Sequence, residues 1–335
     1  MLQALLQQKF GIKPEEELRM GPYEACKAGS SLYLLIPARN IDGETIMELD
    51  QISQHMVQYG DYHVYTFLKT KEGEAIVDWK KDHYCVLANQ RGEHVPVQKV
   101  GRKLSKFHHR GRMLPLKIQK ISRIGMWKSF WEQRLDQMEK VWNDQLFHPP
   151  ENEFQRLFLE SFPYYMGLTE NAIQYLTDTE LDDNPTGIDN GTVCHVRFSQ
   201  KTWGDQMVVK NPFDWVVDHC ARDLAEWTRD RYFYNSKTYE REVSAFFRDY
   251  QSIEPLSSFS WRLLYARLLF PLHYFECIEE YYITDSEQQQ HLLEERLKKY
   301  VKHSREYEKF LRDFYHLTEV PVKKYHLPEL EWLFR

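Results

Sequence analysis

The chain has 335 residues, with 44 Lys and Arg against 50 Asp and Glu and a formal net charge of −6. That length holds one large or two modest domains, and the balanced charge leaves no electrostatic footprint for a nucleic-acid partner. The five cysteines, Cys26, Cys85, Cys194, Cys220 and Cys277, are scattered and odd in number, which speaks against a disulfide framework or zinc site and for a reducing compartment at synthesis.

The N-terminal stretch MLQALLQQKFGIKPEEE lacks the basic region and long apolar run of a signal peptide. Met20-Gly21-Pro22-Tyr23 and Ala28-Gly29-Ser30-Ser31 read as two hairpin turns. No glycine-rich phosphate-binding motif is present. Ser31–Ile36, Tyr62–Leu68, Glu74–Trp79 and His83–Ala88 alternate at strand period. In Thr45–Tyr59 the residues Ile46, Leu49, Ile52 and Met56 share one helix face. These elements predict a sheet of four or five strands with one packed helix. After Gln90–Glu93 the pattern becomes helical: Gly101–Gly111, Trp127–Leu146, Glu153–Phe162 and Thr169–Leu176. Thr192–Phe198 and Gln206–Lys210 read as a β-pair. Helices then follow over Asp223–Tyr234, Tyr239–Tyr250 and Ser258–Tyr282, with a kink at Pro271. Within the last of these, Leu263–Phe275 is broken by Arg267, Pro271 and His273 and is too short to span a bilayer. A final long helix is expected over Ser286–Leu317, opened by a capping box of Ser286 and Gln289. The doublets Tyr164-Tyr165 and Tyr281-Tyr282 read as core and half-buried helix faces. The expected class is α+β, with a sheet lobe over residues 1–89, a crossing at 90–93 and a larger, mainly helical lobe over 94–335.

One stretch, Gly191–Trp227, has the spacing of a kinase-like phosphotransferase site. Such a site is written H-x-D-x-x-x-x-N, then D-F-[DE], then D-L-A about a dozen residues later. His195 opens the motif and Asp223-Leu224-Ala225 closes it. Arg197 stands where the acceptor carboxylate belongs, Thr202 where the amide belongs, and Asn211 where the metal-binding carboxylate belongs. A guanidinium offers no lone pair to a hydroxyl proton and repels the metal ions that neutralise a transferring phosphoryl group. Asn211 offers a carbonyl without charge, whereas Mg²⁺ is held by carboxylates and phosphates. No metal is therefore expected. In a shifted register Asp205, Asp214 or Asp218 becomes the metal ligand, with Asp214 the best of the three because Phe213-Asp214 resembles the second half of D-F-D. Asp223 is expected to brace the loop through its backbone amides, His195 to act structurally, and Arg197 to pair with Asp214 or Asp218. His108 and His109 are adjacent on a helix, point in different directions, and so suggest no metal.

The order of elements resembles the bilobal protein-kinase-like fold, and more narrowly its aminoglycoside- and choline-kinase-like branch. Three segments are similar to the bacterial spore-coat kinase-like proteins of the YutH and CotS type. They are Gly101–His108, Phe246–Tyr250 with Pro255-Leu256-Ser257, and Leu269-Phe270-Pro271 with Glu280-Tyr281-Tyr282. The resemblance implies a nucleotide cleft between the lobes and a place in the endospore coat. It also implies a small-lobe lysine at the end of Ser31–Ile36, where Ile36-Pro37-Ala38 stand instead. Arg39 is the nearest cation, and Glu48, or Glu44, the carboxylate that would pair with it. The expectation is a non-catalytic structural or interaction protein without a cofactor, whose partners are other spore-coat proteins. Two alternatives are an active kinase using ATP and Mg²⁺ on a sugar, amino alcohol or homoserine-like hydroxyl, and a module that holds a nucleotide without turnover.

Overall fold

The computed structural model describes residues 1–90, 99–203 and 210–334. The chain packs into two compact units: residues 1–122, 191–223 and 249–254 form the first, and 123–190, 224–248 and 255–335 the second. This division follows packing and cuts the chain elsewhere than the change of periodicity near Gly92. The expected crossing lies, from Arg91 onward, outside the described residues.

In the first unit a short helix α1 (Leu2–Leu5) buries Leu2, Leu5 and Leu6 against Cys26, Leu35, Val77 and Val86. Strands β1 (Glu16–Met20), β2 (Tyr23–Ala28) and β3 (Ser31–Pro37) follow as two hairpins. Their turns fall at Gly21 and Gly29, both at φ 60°, a left-handed conformation that favours glycine. The two turn readings hold, but β1 and β2 were not expected as strands. Their sequences, EELRM and YEACKA, are too charged to alternate visibly. Helix α2 (Gly43–Gln58) is capped by Asp42, which accepts from the Thr45 N–H at 2.8 Å, and it buries the expected Ile46, Leu49, Ile52 and Met56.

The sheet is completed by β4 (Thr66–Phe67), β5 (Ile76–Trp79) and β6 (Asp82–Asn89), in the antiparallel order β1-β2-β3-β6-β4 with β5 also on β6. The expected strand Tyr62–Leu68 shrinks to two residues because Val64 bridges to Lys210 instead. Helix α3 (Val100–Arg112) lies against β7 (Thr192–His195), which pairs with β8 (Trp215–Asp218). At the contact a Cβ on Gly111 would come within 2.5 Å of the Val193 nitrogen, so only glycine permits this approach. The partner expected for β7, Gln206–Lys210, lies outside the described residues except for Lys210.

The second unit is helical. It contains α4 (Trp127–Leu146), α5 (Glu153–Asp182), most of α6 (Ala221–Tyr234) and of α7 (Tyr239–Gln251), then α8 (Ser258–Leu269), α9 (Leu272–Ile283), α10 (Glu287–Lys302), α11 (Ser304–Leu317) and α12 (Val322–Tyr325). Two expected helices, Glu153–Phe162 and Thr169–Leu176, are one helix of 30 residues that runs through Pro163. Proline leaves the carbonyl four residues back without a donor. Here the Trp142 indole N–H donates to that carbonyl, on Leu159, at 3.1 Å. Conversely, Ser258–Tyr282 is two helices. Phe270, just before Pro271, turns extended at ψ 116°, as a residue preceding proline prefers. The expected Ser286–Leu317 helix is also two, parted at His303. Its first turn keeps the Ser286 cap on the Gln289 N–H at 3.4 Å. All five cysteines are buried and free. Among the described residues, no helix is long and apolar enough to cross a membrane.

Candidate functional site

The site is built wholly within the first unit, around Asp223 near the start of α6. Its carboxylate is fully buried and accepts three hydrogen bonds: from the His195 N–H at 2.8 Å, from His195 Nδ1 at 2.7 Å and from His108 Nε2 at 3.1 Å. These donors hold it well below the usual carboxylate range against the burial that opposes them. His108 in turn accepts from the Tyr250 hydroxyl through Nδ1 at 2.8 Å. Burial pushes its pKa down to about 4, although Asp223 pulls the other way. His195 is sandwiched among Phe107, Phe198 and Trp203 at ring-centroid distances of 5.1, 4.8 and 5.5 Å. Its Nε2 is buried without a partner. Asp223 therefore fixes both the backbone at the loop entrance and the ring of the first motif residue.

His108 Nε2, Cys194 Sγ and the Asp223 carboxylate lie within 4.8 Å of one another, a spacing that a metal ion could bridge. The carboxylate is already engaged by both imidazoles, and burial raises the Cys194 thiol well above its ordinary range, so this cluster is self-satisfied. His109 takes no part: it is exposed, 3.8 Å from Glu254.

The loop from His195 to Trp203 contains no acidic residue. Arg197 is exposed and donates through Nη1 to the Val196 carbonyl at 3.1 Å. Thr202 closes the loop on itself, donating to the Arg197 carbonyl at 3.2 Å and accepting from the Ser199 N–H at 2.9 Å. Asn211 is buried, and its Oδ1 accepts from the Phe213 N–H at 3.1 Å as the cap of a single 3-10 turn, Pro212–Asp214. The two motif segments are neighbours, since the Val196 N–H donates to the Asp214 carbonyl at 2.7 Å. The Asp214 side chain is exposed at its edge, yet partial desolvation raises its carboxyl and His195 only partly offsets this. Asp205 lies outside the described residues.

The cation that pairs with Asp218 is Arg222, at 2.9 Å. Arg222 also donates to the carbonyls of His195 at 2.9 Å and Val196 at 3.2 Å. One guanidinium thus ties β8 to the underside of the loop. This residue escaped the sequence reading: Asp218 ends β8 and Arg222 lies in the first turn of α6, so no periodic pattern within one element links them.

The small-lobe candidates are corrected. Glu48 does not meet Arg39. Its carboxylate accepts from the backbone N–H groups of Gln119 (2.8 Å), Lys120 (2.9 Å) and Ile121 (3.2 Å). Arg39 is an exposed residue that pairs with Asp82 at 2.5 Å. Glu44 pairs with Lys120 at 2.6 Å. Among the described residues, the buried lysine of this unit is Lys210, next to Asn211 in the chain. Its ammonium lies 2.6 Å from Asp61 and over the rings of Trp203 and Phe107 at 4.5 and 5.0 Å. Arg110 reaches the same Asp61 carboxylate at 3.3 Å. The partners are 149 residues apart, which no local pattern encodes.

The profile of the family described as "Spore coat putative kinase YutH" matches residues 3–314. The chain is 37% identical over 334 residues to the endospore coat-associated protein YutH of Bacillus subtilis (strain 168), covering 99% of this chain and 98% of that one. Among solved structures it is similar to an aminoglycoside phosphotransferase from Alicyclobacillus acidocaldarius, with TM-score 0.66, 14% identity, and 91% and 93% of the two chains covered. It is also similar to an AMP-bound spectinomycin phosphotransferase (TM-score 0.60, 13% identity, 89% and 93% covered) and to a microcompartment-associated aminopropanol kinase (TM-score 0.58, 13% identity, 95% and 98% covered). At such low identity these structures share the fold alone, the α+β kinase-like architecture expected from the order of elements. The match along nearly the whole sequence goes further: the chain belongs to the YutH family of spore-coat kinase-like proteins.

Proposed function

We propose that this protein is a non-catalytic member of its family, a kinase-like structural or interaction protein of the endospore coat that assembles with other coat proteins. The observation that carries the reading is the loop His195–Trp203, which has no carboxylate while Asp223 and Arg222 hold its backbone in place. The donor set does not suit a magnesium nucleotide. Arg197 brings positive charge to the acceptor position, Asn211 is neutral and spent on a turn, and Glu48 is filled by three amides. Phosphoryl transfer rests on positioning and charge neutralisation, so losing both carboxylates removes most of the acceleration. The place in the coat rests on the relative from Bacillus subtilis, which is named for its coat association.

A second reading has a specific observation behind it. Asp214 lies beside His195 and is bonded through its carbonyl to the loop, so among the described residues it is the motif-flanking carboxylate best placed to take a metal in a small-molecule kinase. Two measurements separate the readings. A nucleotide present at a hundred times its dissociation constant stabilises a fold by about 2.7 kcal/mol. We expect no thermal shift with ATP and Mg²⁺, and no ADP release above background with amino sugars, amino alcohols or homoserine. Turnover by the unaltered protein that disappears in Asp214→Asn would establish the kinase instead.

A further inference from the structure

Helices α5, α6, α9, α10 and α11 of the second unit surround a cavity of about 260 Å³ that no kinase-like motif touches. Its walls are aromatic: Tyr165, Tyr232, Phe233, Tyr300 and Tyr307, with His273 among them. The imidazole packs against Phe233 at 4.5 Å, edge-on to Tyr300 at 4.8 Å and against Tyr307 at 5.0 Å. His273 is only 8% exposed, and its Nδ1 has no hydrogen-bond partner. Burial, reinforced by the nearby Arg229 guanidinium, keeps this ring neutral, so it offers one donor and one acceptor without charge. Tyr307 is fixed in place by donating to the Leu268 carbonyl at 2.7 Å. A buried polar atom left unanswered costs free energy, and a rigid aromatic box is the kind of surface that takes a flat ring.

Size and charge narrow the ligand. The volume is below the roughly 300–1,000 Å³ of sites for drug-sized molecules, which leaves room for one ring and a substituent. Aromatic walls also suit a quaternary ammonium group, but the charges here oppose a cation. Lys237 and Lys299 stand exposed at the rim, and neither has a carboxylate partner among the described residues. The rim carboxylate, Glu306, is already engaged by His303 at 3.1 Å. We propose that this cavity binds a single-ring aromatic carboxylate, its ring lying against the packed cluster of Phe233, Tyr300 and His273 and its carboxylate at Lys237 and Lys299.

The test uses the full chain and four probes: benzoate, benzyl alcohol, benzyltrimethylammonium and N-acetyl-tyrosine amide, followed by calorimetry and ligand-observed NMR. Benzoate is expected to bind with a dissociation constant on the order of 1 mM, about tenfold tighter than benzyl alcohol, and to weaken as salt is raised. The double variant Lys237→Glu with Lys299→Glu changes only exposed side chains, and circular dichroism checks that it folds. It should lose about tenfold or more on benzoate and leave benzyl alcohol unchanged. The proposal is overturned by any of four results: no benzoate binding up to about 10 mM, tighter binding of the ammonium probe, equal benzoate binding by the double variant, or tighter binding of the tyrosine amide. The last would make the cavity a socket for a side chain of another protein.

Discussion

Asp223 shows how a motif residue can be kept for reasons other than chemistry. Its three donors, from His195 and His108, and its complete burial keep it from a substrate, and the donors make its surroundings sensitive to acid. His108 has a folded-state pKa of about 4. An unfolded histidine titrates near 6.5, so the unfolded chain takes the proton first. Stability from His108 is complete above about pH 6.5 and is lost as pH falls towards 4, by about 3 kcal/mol in all. His273, also depressed by burial, adds to the same loss, whereas the depressed Asp223 gives up its contribution only below the ordinary carboxylate range. Urea midpoints at pH 7, 5.5 and 4.5 should therefore fall steeply, and a His108→Gln variant should start lower but fall less. A midpoint independent of pH would contradict this account. At this level the sequence was informative where spacing carries meaning. His195, Arg197 and Thr202 share one loop, Asp223 braces its entrance from α6, and Asn211 caps a neighbouring turn. It was silent on Arg222 and on the pairing of Lys210 with Asp61, because contacts between distant segments leave no periodic trace.

Helices were legible by face and misread at their ends. The Trp127–Leu146 helix was found at its observed bounds because Trp127, Trp131, Met138 and Trp142 recur at helical period, and the first three of these are buried together with Leu135. Proline misled in both directions. Pro163, just past the expected end of the Glu153–Phe162 helix, sits inside α5, while Pro271 was taken as a kink yet ends α8. The difference is a donor. Trp142 supplies one for the carbonyl that Pro163 orphans, and an indole 21 positions away cannot be weighed from local propensity. A double-mutant cycle tests this. Trp142→Phe alone should cost about 1 kcal/mol by freeing the Leu159 carbonyl, besides any packing loss. In a Pro163→Ala background the new backbone N–H takes that carbonyl, so the same change should cost measurably less. Equal costs in both backgrounds would show that the indole does not substitute for the missing donor. Strands β1 and β2 were missed for a different reason: in short, charged strands pairing is set by the hairpin turns more than by alternation.

Across the whole chain, all five thiols are buried. Burial pushes Cys26 up, Cys85 and Cys277 up to about 12 and Cys194 well above its ordinary range; Cys220 is lowered by His219 and Arg112 against its burial, but it is fully enclosed, so thiolate within reach of solvent is scarce in the folded protein. A thiol reagent at pH 8 should label less than one group per native molecule within minutes and all five in strong denaturant, with the slow native rate rising as stability is reduced. Prompt labelling of two or more groups would mean that one unit opens without the other. The fold class was thus open to reading from the residues and the order of elements, while the aromatic cavity was not: its doublet Tyr164-Tyr165 was read as core or half-buried helix face, in preference to a surface for assembly or tyrosine cross-linking.

The contrast between Asp223 and Arg197 has a consequence for the mutational history such a chain can follow. Replacing Asp223 strands buried donors on two histidines, a penalty met at folding whatever the protein does. Arg197 projects from the loop surface, where most exchanges cost little. Selection for a folded coat component alone would therefore hold the motif's outer residues and let its reactive centre drift. Under the proposed non-catalytic reading, half of a catalytic signature would persist as architecture alone.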